Sequence, residues 1–401
     1  MRIRQFRFRA SLLLGPLLLA LPACEKAPLQ PFAPALRTVS AGADHACGVT
    51  HAGAAYCWGD NTYGALGAGT ISLTPVTTPV AVVGGLSFAT VSAGWGFTCG
   101  VTTAGVGYCW GANGGGALGI GRADTIPHST PVPVVGGLTF AMIDAGAAHA
   151  CSVTTRGVAY CWGFNQFGEL GIGAADTIPH PAPVVVSSGL TYTAVSAGVF
   201  HTCGVTTGGA AYCWGLNQFG EVGDGSMTRR AAPVAVTGGL TFATVGARWY
   251  HTCGVTTGNE AYCWGHGGNG ELGNDSLGSS SSPVAVAGGL AFSVVSAGGF
   301  HTCGVTTDGV GYCWGGSGGG LLGTTASSPV CYISPEGPVS CSTVPVPVAG
   351  GLTFATVSSG EVYTCGVTTG GTGYCWGDNS GGQLGDGSLT SRTTPVAVAS
   401  R

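Results

Sequence analysis

The chain has 401 residues, of which 75 are Gly and 17 are Cys, while Asp, Glu, Lys and Arg together make only 7%. So little charge excludes a solvated disordered chain, and an apolar fraction of 45% can build a sizeable core. The Gly follow no three-residue period, which excludes collagen, and a formal net charge of −4 without a basic cluster leaves no footprint for nucleic acid.

The first residues read as an address. Arg2, Arg4, Arg7 and Arg9 precede a Leu-rich stretch from Ala10 to Ala20 that is too short to span a membrane. It ends in Leu21-Pro22-Ala23-Cys24, which looks like a bacterial lipoprotein signal. The expectation is a signal peptide over 1–23 and a lipidated Cys24. Pro22 is unusual at its place, and the plainer alternative is ordinary cleavage nearby with Cys24 incidental. Removing 1–23 takes four of the 13 Lys+Arg and no acid, leaving nine against 17, or −8. Residues 24–36, with Pro28, Pro31 and Pro34, read as a stiff tether. The chain is thus expected to be exported across the inner membrane and held in the bacterial envelope, or exposed at the surface, through lipid alone.

Internal repeats govern the rest. Tyr-Cys-Trp-Gly occurs seven times, at Cys57, Cys109, Cys161, Cys213, Cys263, Cys313 and Cys375. A second cysteine stands ten residues before each, at Cys47, Cys99, Cys151, Cys203, Cys253, Cys303 and Cys365. Repeats step by 52, 52, 52, 50, 50 and 62 residues, and the longest step carries an insertion with its own pair, Cys331 and Cys341.

The fourth repeat shows four strands. The first is Val234-Ala235-Val236, after a Pro. A Gly-Gly-Leu turn leads to the second, Phe242 to Gly246. The third starts near His251, and the fourth is Tyr262-Cys263-Trp264. Six residues after the first cysteine of each pair stands Gly53, Gly105, Gly157, Gly209, Asn259, Gly309 or Gly371, the signature of a left-handed turn position. A three-residue hairpin ending there puts the two cysteines opposite each other, about 4.5 Å apart at Cα, which suits a disulfide. The expected bonds are Cys47–Cys57, Cys99–Cys109, Cys151–Cys161, Cys203–Cys213, Cys253–Cys263, Cys303–Cys313, Cys331–Cys341 and Cys365–Cys375. The same count sets a small residue, such as Gly48, opposite each Tyr and suggests that it makes room for the tyrosine ring. Tyr and Trp of the motif share a face and read as packing between sheets.

Three turns per repeat are short, and one connection runs about 17–19 residues. Reading the long one as the crossing gives seven four-stranded antiparallel blades. The chain then starts at a second strand and ends at a first. This predicts an all-β, seven-bladed propeller over 37–401, closed by pairing of the C-terminal strand with the N-terminal blade. A solenoid, the alternative, would leave those end strands unpaired.

Val-Ser-Ala-Gly, His-Thr-Cys-Gly-Val-Thr-Thr and Tyr-Cys-Trp-Gly-x-Asn-x-x-Gly-x-Leu-Gly resemble the regulator of chromosome condensation repeat, across nearly the whole mature chain. The resemblance also implies a seven-bladed propeller. Paired cysteines depart from the nuclear members and suit an oxidising compartment. The guanine-nucleotide exchange implied by the family name therefore does not carry over. A secreted bacterial β-lactamase inhibitor in that family shows that the scaffold can serve as an extracellular protein binder.

No catalytic constellation stands out, and neither cofactor nor metal is expected. His45, His149, His201, His251 and His301 share a slot that Phe97 and Tyr363 fill elsewhere, so the slot asks for a flat ring rather than a ligand. Cysteines ten apart do not match zinc spacings. Asp224-Gly-Ser and Asp386-Gly-Ser could touch calcium but are more simply turns. Binding has better support. The turns between second and third strands share a rim with the long loops and carry Trp95, Phe200, Trp249, Tyr250 and Phe300, where backbone geometry demands none. Arg248 lies beside Trp249, and Arg229 and Arg230 lie on a long loop. Trp, Tyr and Arg dominate interface energetics. The alternative is that these rings fold inward and cover the blade edge. The insertion at 331–341 reads as a stapled hairpin standing off that rim, presenting Tyr332, Ile333, Glu336 and Val339, or else as a neutral insertion. The expected role is a monomeric binding module for a protein or cell-envelope ligand, glycan included, with no nucleic acid. An extracellular polysaccharide lyase or hydrolase, and a purely structural envelope protein, stay open.

Overall fold

The computed structural model describes residues 35–326, 328–334 and 337–399. The proposed signal peptide over 1–23, Cys24 and almost all of the tether lie outside the described residues. The chain forms seven antiparallel sheets arranged as a propeller, six of four strands and one of five. Blade 1 runs from the innermost strand Leu36–Ala41 through His45–Thr50 and Ala55–Asn61 to the outer strand Ser72–Ala81. The later innermost strands are Phe88–Ala93, Phe140–Ala145, Tyr192–Ala197, Phe242–Ala247, Phe292–Ala297 and Phe354–Ser359.

Every blade is contiguous in sequence, which corrects the expected closure. The last strand, Arg392–Ala397, pairs with Gly373–Gly377 in blade 7 and not with blade 1. The long loop leaves the third strand, reaches over the next blade and returns to its own, while the Gly-Gly-Leu segment makes the crossing. Four strands about 4.8 Å apart put the outer strand only about 14 Å from the axis-facing one. A six-residue link spans that at up to ~3.5 Å per residue, so its shortness did not mark a hairpin. The ring closes by the packing that joins every other pair of blades. Leu36 N donates to Gly371 O at 2.8 Å, as Phe88 N does to Gly53 O. Ala41 N donates to Ser358 Oγ at 3.0 Å, and Tyr363 Oη to His45 O at 2.6 Å.

The hairpin geometry follows the count. Cys47 faces Cys57 and Gly48 faces Tyr56, with the same register in every blade. The turn position has φ between +66° at Asn259 and +88° at Gly309. All eight expected disulfides are present, and the seven within the blades have Cα separations of 4.0–4.1 Å. The small residue opposite each Tyr has another cause than the one expected. A Cβ on Gly100 would stand 2.8 Å from the Phe88 ring, and one on Gly204 the same distance from Tyr192. The room is for the ring that opens the blade's own innermost strand.

Blades are joined by the motif Trp. All seven of these indoles are fully buried, each over the disulfide of the preceding blade, as Trp110 is over Cys47–Cys57. Each Nε1 donates to a carbonyl in that blade's long loop at 2.7–3.1 Å, from Trp58 to Gln383 round to Trp376 to Leu321. A Cβ on Gly67 would lie 2.7 Å from Trp110 Nε1, so only Gly lets the loop lie flat on the indole.

The five shared histidines are buried, and each Nε2 meets a Thr hydroxyl of the next blade at 2.6–2.9 Å. In four of them that hydroxyl donates onward to a loop carbonyl, so Nε2 must be the donor. The Nδ1 atoms of His201 and His301 are buried without a partner. Burial pushes these imidazoles down, to about 4 at His45, His149 and His251 and about 3 at His201 and His301.

The insertion is a correction too. It does not stand off the rim. Val330–Ser334 pairs with the long strand Gly337–Pro347, which is itself the outer strand of blade 6, so the hairpin adds a fifth strand at that edge. Cys331 sits at a bulge, and its staple to Cys341 spans 5.8 Å at Cα.

Two tests follow from this construction. Replacing Cys99 and Cys109 together by Ala should cost about 2–3 kcal/mol from loop entropy alone, read as a lower melting temperature. An unchanged temperature would mean that the staple adds nothing to the hairpin. The histidines are depressed in the folded state, so below pH 6.5 the unfolded chain binds more protons. Stability should therefore be full above pH 6.5 and fall as pH drops toward 4, by up to about 1.4 kcal/mol per pH unit for each ring. His201→Phe, which copies Phe97, should flatten that fall in a pH series of thermal melts, and an identical slope would refute the assignment.

Candidate functional site

Antiparallel order puts the turns between innermost and second strands at the same end as the long loops. On this upper rim the sequence-predicted aromatics meet. Trp95 lies 6.0 Å from Trp249 across the mouth of the central channel, centroid to centroid. Trp249 contacts Tyr250 and Phe300 at 5.6 and 5.8 Å, and Tyr250 contacts Phe200 at 6.0 Å. Trp95 is 46% exposed and Phe300 40%, while Phe200, Trp249 and Tyr250 are half-buried. The rings thus cover one another and still present faces to solvent.

Three further rings extend the chain: Phe167, 5.2 Å from Phe200; Phe219, 5.4 Å from Tyr250; and His266, 4.9 Å from Phe219. Phe167 and Phe219 occupy one slot of Asn-x-Phe-Gly in the long loops, where blade 1 has Tyr63. That slot was visible in the sequence. Its nearness to the turn tips was not, because loop and tip are far apart along the chain.

Five of the seven long loops, those of blades 1 to 4 and 7, are bridged by an Asn. In blade 2, Asn113 Nδ2 donates to Arg122 O and Oδ1 accepts from Leu118 N, at 3.0 and 3.2 Å. Asn61, Asn165, Asn217 and Asn379 bridge their loops in the same way. The rings that these loops carry are therefore set before any ligand arrives.

The cationic side chains have different fates. Arg229 is exposed and donates to Gln166 O in the neighbouring loop at 3.2 Å. Arg230 is held by Asp224 at 2.6 Å, within the Asp-Gly-Ser turn, and Arg392 by Asp386 likewise at 2.8 Å. Both acidic turns are thus occupied by Arg, and Arg230 belongs to its own loop more than to the open rim. Arg248 turns into the channel and donates to Ala41 O of blade 1. Tyr332, 41% exposed, donates to Asn269 Oδ1 at 2.9 Å and so lies against the loop of blade 5. Val339 is half-buried on the outer strand. The Ile333 side chain and Glu336 lie outside the described residues.

Two hollows flank the rings. One of about 500 Å³ lies between blades 1 and 2, walled by Tyr63 and Trp95 with Asp44 and Asp60. Burial and the charges of Asp60 and Asp378 raise the Asp44 carboxyl above its usual range. Burial and Asp44 likewise raise Glu361, against the pull of Arg248. The second, about 200 Å³, lies among Phe219, Tyr250, His266 and Phe300. There His266 Nδ1 bonds Glu271 Oε1 at 3.1 Å, which raises the imidazole. Burial alone would raise Glu271, but its bonds from His266 and Asn269 and the nearby imidazoles hold it below the carboxylate range. Among the described residues no group of three His, Cys, Asp or Glu is placed to hold a metal ion. The arrangement is that of a recognition surface: preset rings, open faces and an acidic sector.

Comparison with known proteins agrees with this architecture. The ultraviolet-B receptor UVR8 of Arabidopsis thaliana is 30% identical over 191 residues, which is 47% of this chain and 43% of that protein. The human E3 ubiquitin-protein ligase HERC2 is 30% identical over 197 residues, 48% of this chain and 4% of that one. The chain therefore spans less than half the length of these curated relatives. Yeast RCC1 (Prp20), solved with Kap60, superposes with a TM-score of 0.75 at 20% identity, covering 91% of this chain and 85% of that one, a likeness of fold. Residues 18–351 match the family model of the RCC1-like domain, and the chain belongs to that family.

Proposed function

We propose that this propeller is a binding module and that it engages a protein through the aromatic arc of its upper rim. One observation carries the reading. Eight rings from blades 2 to 6 form an unbroken series of contacts while Trp95 and Phe300 stay substantially exposed. Trp and Tyr are among the residues that dominate interface energetics, and the loops that carry Phe167 and Phe219, already fixed by Asn bridges, lose little entropy on binding. Tyr332 extends the same surface outward from blade 6, which gives the insertion a place in it.

The setting we favour is extracytoplasmic. Eight disulfides form and persist in an oxidising compartment, and this fits the export signal and lipidated Cys24 read from the sequence. The same bonds argue against carrying over the nuclear exchange role implied by the family's name. Yeast RCC1 (Prp20), of similar fold, was solved bound to Kap60, a protein partner of that relative. A lyase or hydrolase would need convergent acids and bases. The raised carboxyls of Asp44 and Glu361 are the nearest approach to that, and among the described residues no group of three His, Cys, Asp or Glu is placed to hold a metal beside them. Sugars also stack on exposed rings, so a glycan is the alternative ligand class.

Nine Trp are present, and seven are the buried motif residues. Acrylamide should therefore quench a small fraction of the native emission, and Trp95→Phe with Trp249→Phe should remove that fraction. Equal quenching in the variant would mean that the rim rings are covered. Capture from the envelope fraction should then recover one partner with the wild-type chain and lose it with Trp249→Ser plus Phe300→Ser. Retention by that variant would place recognition elsewhere. Loss of capture after glycosidase treatment would assign the ligand to a glycan.

A further inference from the structure

The innermost strands line the channel with one repeated device. Ser40, Ser92, Asp144, Ser196, Ser296 and Ser358 each accept the backbone N–H of the following innermost strand, at 2.8–3.1 Å. The seventh position is Gly246. It has no side chain, so Ala297 N–H lacks the acceptor that its six counterparts have. One step further on, six blades carry Gly, and in most of them the next residue donates to the following blade, as Trp95 N does to Gly146 O at 3.0 Å. Blade 5 carries Arg248 there, and no such bond joins Trp249 N to Gly298 O. The innermost edge between blades 5 and 6 is thus without both contacts, whereas the seam between blades 7 and 1 lacks only the second and keeps Ala41 N to Ser358 Oγ.

A third departure faces the same space. Ser359 stands where five other repeats and blade 5 have Ala, and its Oγ is buried without a hydrogen-bond partner. Ser359 is 1% exposed and lines, with Gly246, Arg248 and Ser296, a cavity of about 120 Å³. Arg248 roofs it. The guanidinium has five N–H donors, spends one bond on Ala41 O and forms no ion pair among the described residues. Asp144, on the far wall, is already engaged by Ser92 Oγ at 2.6 Å and Ala197 N at 2.8 Å.

We propose that this gap is a binding site for a small oxyanion, held by Arg248 from above, by Ala297 N–H in the gap at Gly246, and by the hydroxyl of Ser359. A half-buried guanidinium with spare donors shares one cavity with an unclaimed N–H and an unclaimed O–H, and the carboxylate on its wall, Asp144, is engaged elsewhere, so these buried donors call for an added acceptor. The volume admits phosphate, sulfate or a carboxylate. The site is separate from the aromatic arc and does not depend on the rim reading.

The test is calorimetric titration of the protein with phosphate, sulfate and acetate, at constant ionic strength in chloride, with thermal melts in parallel. Saturable binding of at least one anion with a matching rise in melting temperature is expected. Arg248→Gln should abolish it, and Ser359→Ala should weaken it several-fold. Because Arg248 also touches blade 1, Gly246→Ser provides the variant that keeps the fold. A Cβ there meets nothing nearer than 3.9 Å, and the new hydroxyl should claim Ala297 N–H as serine does in other blades. That variant should bind at least tenfold more weakly while melting in chloride no lower than wild type. Binding of acetate alone would identify a carboxylate as the ligand, and of phosphate or sulfate a tetrahedral ion. No binding by wild type, or equal binding by wild type, Gly246→Ser and Arg248→Gln, would overturn the proposal.

Discussion

Each motif Trp does two jobs in one place. Its ring buries the disulfide of the preceding blade, and its N–H fixes that blade's long loop. A blade of four short strands has two faces and cannot bury either alone. The indole supplies apolar area, the staple keeps the hairpin beneath it from splaying, and the loop glycine lets backbone lie against the ring. Repeating that contact seven times, with Trp58 on the loop of blade 7, closes the ring without exchanging a strand. The upper rim inherits its rigidity from the same contact, because the gripped loops are the ones that carry Phe167 and Phe219.

This explains which parts of the fold the repeats disclosed. Opposed cysteines, the left-handed turn position and the seven blades follow from spacing within one hairpin, where the chain has little freedom. Blade boundaries depend on where a short segment goes in space, and a six-residue link can turn back or step radially outward to inward with equal ease. Sequence length could not separate the two. The Gly opposite Tyr56 was likewise read against its cross-strand neighbour, although the constraint comes from Leu36 on the other side. In sequence the insertion resembles a free hairpin, because its cysteines copy the ten-residue spacing. Its longer strand instead continues an edge that was already there.

The candidate site was legible to the extent that it lay on turn tips. Trp95, Phe200, Trp249, Tyr250 and Phe300 broke an otherwise small-residue pattern. Phe167, Phe219 and His266 were missed because their proximity depends on a loop folding over the neighbouring blade. Arg230 shows the converse. Its exposure could be guessed, but Asp224 six residues earlier was the nearer claim on its charge.

In a seven-fold repeat the chain supplies its own reference at every position. Where a slot is filled the same way in six blades, packing accounts for the residue. Where one blade departs and nothing in its packing is gained, the departure needs another cause. Blade 5 concentrates such departures. Gly246 gives up a hydrogen bond that six counterparts keep, and Arg248 occupies a slot where in the other blades a Cβ would come within 2.3–2.8 Å of backbone oxygen of the next blade. Trp249 and Tyr250 follow at once. The repeat shows how this seam is sealed in the other blades, and blade 5 leaves it open at the axis beneath Trp249. The physical cost at this seam is therefore what the proposed anion site would offset, independently of the aromatic arc above it.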